Sequence, residues 1–159
     1  QKFSLYEALT VYENIRFYGG IYGLSNKEIK EKAENLMENL GLRAHRNKLI
    51  ASLPLGWRQK LAFSIAILHG PKIVFLDEPT GGVDPITRRQ FWDLIYQTAN
   101  RGITVFVTTH YMDEAEYCNR VSIMRAGKIE GYGTPDELKT QFHAQNMDEV
   151  FVSIARGRN

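Results

Sequence analysis

Ile73-Val-Phe-Leu-Asp-Glu-Pro-Thr80 decides how this chain reads, because four apolar residues run straight into two adjacent carboxylates. A short, wholly apolar run that turns polar abruptly predicts a strand buried on both faces and finishing at its carboxyl end. Successive side chains at a strand end point in different directions, so Asp77 can hold a magnesium shell while Glu78 addresses a water one residue further on. Taken alone, the same octet also describes a buried strand that runs into a solvated acidic turn. Its surroundings separate the two readings.

Downstream, Asp84-Pro85 supplies an N-cap and a proline at the first helical position, so a helix is predicted from there to about Asn100, before Gly102. Ile103 to Thr108 is the next β-branched strand. Strand, helix and strand in this order predict a parallel sheet covered by helices. A short acidic helix follows His110, and Val121-Ser-Ile-Met124 then turns through Arg-Ala-Gly-Lys into a strand at Ile129 to Tyr132. Thr134-Pro135 with Glu137 opens another capped helix, and Met147 to Ile154 forms a last short amphipathic one.

Upstream of about Leu53 the composition changes. Thr10-Val-Tyr-Glu13 and Ser25-Asn-Lys-Glu28 both carry the hydroxyl-x-x-carboxylate pattern of a capping box, and each predicts a helix start. The second helix places Ile29, Ala33, Leu36, Met37 and Leu40 at helical spacing, with Gly41 where a left-handed C-cap would end it. A third helix is predicted from about Trp57 to His69, where Leu61, Ile65 and Leu68 share a face and Gly70-Pro71 stops it. Tyr12, Phe17, Tyr18 and Tyr22 read as helix packing. This part is expected to be a small all-helical layer.

Composition narrows the function classes. The 159 residues, 43% hydrophobic and 24% charged, fit one soluble globular domain or a large piece of one. Twenty Lys and Arg against eighteen Asp and Glu leave a net charge of +2 without any like-charge block, which disfavours a nucleic-acid partner. A single cysteine, Cys118, excludes an internal disulfide framework and a cysteine-built zinc site, and the four histidines lack metal-ligand spacing. No stretch approaches the roughly 18 apolar residues of a membrane span, so any service to a membrane comes from outside the lipid. A chain that opens on Gln1 with helix signals by residue ten reads as a fragment.

Phe75 to Pro85 (FLDEPTGGVDP), followed after one helix by Ile103 to His110 (ITVFVTTH), resembles the nucleotide-binding subunit of ATP-binding cassette (ABC) transporters. In that family a Walker B strand, a D-loop and a switch histidine come in this order and spacing. The resemblance implies an α/β fold: a P-loop NTPase, RecA-like core with a parallel sheet, incomplete here, and an inserted all-helical subdomain. Residues 1–70 would be the Q-loop and helical signature subdomain. Residues 71–159 would be the C-terminal part of the core. Asp77 would hold magnesium through water, and Glu78 would polarise the water that attacks the γ-phosphate of ATP. Asp84 would be the D-loop aspartate at a cassette dimer interface, and His110 would contact the γ-phosphate. Gln1 would be the Q-loop glutamine that senses magnesium and the attacking water, and Phe3, Leu5 and Tyr6 would receive a coupling helix of the membrane partner. His110-Tyr-Met-Asp-Glu-Ala-Glu-Tyr-Cys118 and Gly127 to Lys139 are similar to exporter-type cassettes that work with ABC-2-type permeases, including multidrug exporters. The implied partners are such a permease and a second cassette, on the cytoplasmic face of the membrane.

Two departures qualify the resemblance. No Gly-x-x-x-x-Gly-Lys-Ser/Thr loop is present, so the expectation is that this stretch alone binds ATP poorly and does not hydrolyse it. The family's Leu-Ser-Gly-Gly-Gln signature aligns with Leu53-Pro-Leu-Gly-Trp57, followed by a matching Arg58-Gln-Lys-Leu61. Pro54 has neither a hydroxyl nor an N–H, and Leu55 carries a side chain where close backbone approach is wanted; Gly56 and a helix start remain for phosphate. A degenerate half-site or an asymmetric cassette pair would follow. Two competing readings are a soluble cassette of translation or DNA repair and a regulatory cassette without catalysis. GGVDP, HYMDEAEYC and the modest charge weigh against the first, and the presence of Glu78 and His110 against the second.

Overall fold

The structure, a computed structural model, describes residues 5–157, and the chain divides into two compact units at Val107/Thr108. In the first unit, helix α1 (Val11–Ile21) and helix α2 (Asn26–Asn39) both start with the expected reciprocal caps. Thr10 Oγ1 accepts from the Glu13 amide at 3.2 Å while Glu13 Oε2 accepts from the Thr10 amide at 2.8 Å, and Ser25 and Glu28 repeat the arrangement. The Thr10 amide, then its hydroxyl, holds Glu13 below the usual carboxylate range, and the Ser25 hydroxyl, donating to Glu28 Oε2 at 2.7 Å, then the Ser25 amide, does the same for Glu28. Gly41 adopts the left-handed conformation that ends α2, with φ +67°. Helix α3 (Leu55–Ala66) begins two residues earlier than its apolar face predicts, directly after Pro54.

Strand β1 (Ile73–Asp77), helix α4 (Pro85–Asn100) and strand β2 (Thr104–Thr108) form one strand–helix–strand crossover, and the two strands pair in a parallel sheet. The apolar stripe of the helical layer joins Val11, Ile15, Ala33, Met37, Leu42, Ile50, Leu61 and Ile65 into one core. Leu5 belongs to it too, so the docking role expected for Leu5 gives way to core packing; Tyr6 stays exposed, and Phe3 lies outside the described residues. Asn14, fully buried, ties the segment before α1 in place: its Oδ1 accepts from the Tyr6 amide at 2.8 Å, and its Nδ2 donates to the carbonyls of Tyr6 and Thr10 at 3.0 Å. A buried amide satisfied on both ends fixes a loop more firmly than apolar contact alone.

The expectation that β1 is buried on both faces does not hold. Val74 is buried, but Ile73 is 53% and Phe75 74% exposed, and on β2 Phe106 is 53% exposed. Period-two alternation puts these three side chains and Asp77 on one face of the sheet, where the Phe75 and Phe106 rings lie 5.7 Å apart. The opposite face is the one that packs.

In the second unit, helix α5 (Met112–Ala115) precedes an antiparallel hairpin of β3 (Val121–Arg125) and β4 (Lys128–Gly133), with a bulge between Ile123 and Met124. Ala126 and Gly127 have φ +49° and +79°, the pair of positive values that a two-residue turn with the right twist requires. Helix α6 (Pro135–Gln141) is capped by Thr134 and Glu137, and helix α7 (Met147–Ala155) by Asn146. Ala115, Ile123, Leu138, Met147, Val150 and Ile154 form the core of this unit. Glu116 links its helices, accepting from Lys139 Nζ at 2.9 Å and from the Met147 amide at 3.0 Å. Among the described residues no helix is long and apolar enough to cross a membrane.

Candidate functional site

Strand β1 stops at Asp77, whose side chain shares the exposed face of the sheet. Glu78 then turns the chain with φ +43°, a left-handed conformation that costs a non-glycine residue about 1–2 kcal/mol. The turn, more than strand alternation, therefore sets where Glu78 points. Such strain persists only where its surroundings enforce it. Here the Gly81 amide donates to the Glu78 carbonyl at 3.2 Å, Thr80 is buried, and Gly82 takes φ +75°. Asp84 ends the loop as the N-cap of α4: its Oδ1 accepts from the amides of Ile86 and Thr87, both at 3.0 Å, and its Oδ2 accepts from Thr87 Oγ1 at 2.6 Å. The Thr87 hydroxyl and amide, with the Ile86 amide, hold this carboxyl below the usual range.

The start of α3 packs onto this loop. Pro54 is its N-cap and offers no side-chain hydrogen bond, as a residue without a hydroxyl must. The amides of Trp57 and Arg58 donate to the Pro54 carbonyl at 3.0 and 3.2 Å. Gly56 is buried, and a Cβ there would overlap Thr87 Cγ2, so packing demands glycine at this position independently of any ligand. Leu55 Cδ2 lies over Gly82. Two residues that sequence reasoning did not single out complete the contact. Gln59, 4% exposed, donates from Nε2 to the Gly81 carbonyl at 3.1 Å, and Lys60 Nζ donates to Gln90 Oε1 on α4. Burial lowers the Lys60 ammonium, with the Asp84 carboxylate pulling in the opposite direction. Their only signal in the sequence is the Arg58-Gln-Lys-Leu61 continuation after the signature-like segment.

Of the residues singled out from sequence, Asp77, Glu78, Gly56 and Asp84 belong to the first unit, and Thr87 joins Gly56 to Asp84 directly. His110 belongs to the second unit, where it is exposed two residues past β2 with its ring 4.2 Å from that of Tyr111. Gln1 lies outside the described residues. Cys118 is a poor nucleophile: burial, then the Glu114 carboxylate, pushes its thiol up to about 11. Among the described residues no group of His, Cys, Asp and Glu forms a metal cage. The exposed Asp77 carboxylate at the strand end is instead the kind of hard-oxygen donor that magnesium uses together with phosphate oxygens, and a helix start without a side-chain cap suits an anion. The residues present thus fit magnesium ATP.

The loop from the end of β1 to the N-cap of α4, braced by the start of α3, is the stretch in which the sequence resemblance would put Walker B acids and a D-loop. The ABC transporter family model matches residues 1–81, and the chain belongs to that family. It is 50% identical over 159 residues to the probable multidrug ABC transporter ATP-binding protein YbhF of Escherichia coli (strain K12), an alignment that covers 97% of this chain and 28% of that protein. It is 32% identical over 154 residues to the linearmycin resistance ATP-binding protein LnrL of Bacillus subtilis (strain 168), covering 96% of this chain and 50% of that one. A solved ATP-binding subunit of an ABC transporter superposes with a TM-score of 0.81 at 28% identity, over 95% of this chain and 64% of that one. The chain therefore spans 28%, 50% and 64% of these three proteins, and its α/β fold is that of ABC ATPase subunits.

Proposed function

We propose that this chain supplies the helical subdomain and the Walker B, D-loop and switch-histidine segments of an ABC transporter ATPase that hydrolyses magnesium ATP between two cassettes to drive export. In this reading residues 1–70 would be the Q-loop and helical subdomain and residues 71–159 the C-terminal part of the ATPase core. Bound magnesium would neutralise charge on the β- and γ-phosphate oxygens. Asp77 would hold the ion through water, Glu78 would take up hydrogen-bond contact with the attacking water, and His110 and Gln1 would complete the surroundings of the γ-phosphate. Asp84 and the α3 start at Gly56 would face the second cassette. The multidrug and resistance names of the relatives support an exporter; the partner of this reading is an ABC-2-type permease, with the cassette on the cytoplasmic face of the membrane. The cargo would be selected by the permease, since function lives in sites and not in the fold.

The observation that carries this reading is the left-handed Glu78 between an exposed Asp77 and the capped Asp84 loop. Its test is Glu78→Gln in the full-length protein, which is expected to bind ATP as the wild type does while turnover falls by at least about 100-fold. Unchanged turnover would remove Glu78 from the mechanism. Pro54, which offers the α3 start no hydroxyl, marks the weak point of the half-site; Pro54→Ser is expected to raise kcat/KM for ATP by about tenfold, the worth of one charge-assisted contact. A lower kcat/KM would show that the proline is an adaptation of this cassette.

A further inference from the structure

Gln59 is a buried polar residue that none of the assigned roles uses. Its Nε2 donates to the Gly81 carbonyl at 3.1 Å, and the Gly81 amide donates to the Glu78 carbonyl at 3.2 Å. Two hydrogen bonds in series, on either side of one residue, therefore run from α3 to the peptide of the strained glutamate. The orientation of the amide follows from its partner: with oxygen and nitrogen exchanged, two acceptors would face each other. The other end, Gln59 Oε1, is buried and has no hydrogen-bond partner among the described residues. A leucine of similar size would avoid that desolvation, so the polar side chain is not there for packing alone. The same helix start is fixed to the other end of the loop, where Gly56 abuts Thr87 and Thr87 bonds Asp84. The first turns of α3 thus contact both ends of the loop that begins at Glu78.

We propose that Gln59 is a positioning residue which, through the Gly81 peptide, holds Glu78 in its left-handed conformation and makes its placement depend on the position of the α3 start in the same cassette. This rests on the reading of Glu78 as the residue that polarises the attacking water.

The test uses two substitutions in the full-length protein. Gln59→Leu removes the donor at similar volume, and Gln59→Met removes it with an unbranched side chain of similar length. Both are expected to lower kcat by about tenfold with the KM for ATP within about twofold, because a lost hydrogen bond of this kind is worth about one decade. Hydrogen exchange at Glu78 to Asp84 is expected to accelerate by a similar factor while α1 and α2 exchange as in the wild type, which separates a displaced loop from a misfolded variant. Unchanged kcat in either folded variant, or a loss of kcat with wild-type exchange in the loop, overturns the proposal. A wild type without any ATP turnover is a separate outcome that removes the proposed function, and the role of Gln59 with it.

Discussion

Gly56 shows how a residue can be read correctly and for an incomplete reason. The signature alignment assigns it to close phosphate approach, whereas the structure adds a cause inside the chain, since a Cβ at this position has no room beside Thr87 Cγ2. Gly56→Ala is accordingly expected to destabilise the chain by about 1–3 kcal/mol, the usual cost of an extra methyl in a packed contact. Thr87→Ser removes the opposing methyl and keeps the hydroxyl that bonds Asp84, so the double variant is expected to recover most of the loss. Urea denaturation of the four members of this cycle measures the coupling, and additive losses would mean that Gly56 and Thr87 do not meet. At this scale sequence reading works where the physics is local. The Thr10, Ser25 and Thr134 caps are written within four residues and form as expected. Gln59 escapes notice because its partner, Gly81, is 22 residues away. The left-handed Glu78 escapes as well, since glutamate carries no preference for positive φ and only tertiary context imposes it.

Among the elements, α4 couples a cap to the candidate site most tightly. Its sequence announces the start at Asp84-Pro85 and the end before Gly102, and the helix runs from Pro85 to Asn100. Because the folded state lowers the Asp84 carboxyl, its contribution to stability is present above the ordinary aspartate pKa and is lost as pH falls through the folded value. Asparagine caps a helix about as well as aspartate but carries no charge for the helix dipole to favour. Asp84→Asn is therefore expected to be less stable than wild type at neutral pH, with the gap closing on acidification past the carboxylate range. Denaturant midpoints of both proteins at the two pH extremes decide it: a gap that does not change with pH would deny the carboxylate any charge-dependent role at the cap. The order of α-helices and strands was legible because apolar period, caps and breakers agree in most segments; the short 3-10 turns at Arg43–His45 and Ile50–Ser52 carry no such signal, and the α3 start after Pro54 lacks a capping side chain. What could not be read was the burial of β1, since a run such as Ile-Val-Phe-Leu specifies a strand fit for two covered faces but not what covers them.

For the molecule as a whole, that uncovered face is the feature with the largest consequence. Ile73, Phe75 and Phe106 expose a contiguous apolar patch on the first unit, on a sheet in which each described strand has one paired neighbour. Covering Phe75 and Phe106, 74% and 53% exposed, would recover a corresponding part of the roughly 1.5–3 kcal/mol of a fully buried phenyl ring each, enough to favour association or binding of an apolar dye. The 159-residue chain on its own is therefore expected to bind an anilinonaphthalene dye and to self-associate at micromolar concentration. Phe75→Ser with Phe106→Ser is expected to weaken self-association at least about tenfold by sedimentation, with helical content unchanged. If, as the proposed function requires, this chain works within a longer cassette like the matched subunit, of which it spans 64%, this face is expected to be covered there. The same double variant should then act in the opposite sense, lowering the stability of the folded protein instead of improving its behaviour in solution. A full-length protein indifferent to both serines would mean that the face stays open, and that β1 and β2 lie at the margin of the molecule and not within its sheet.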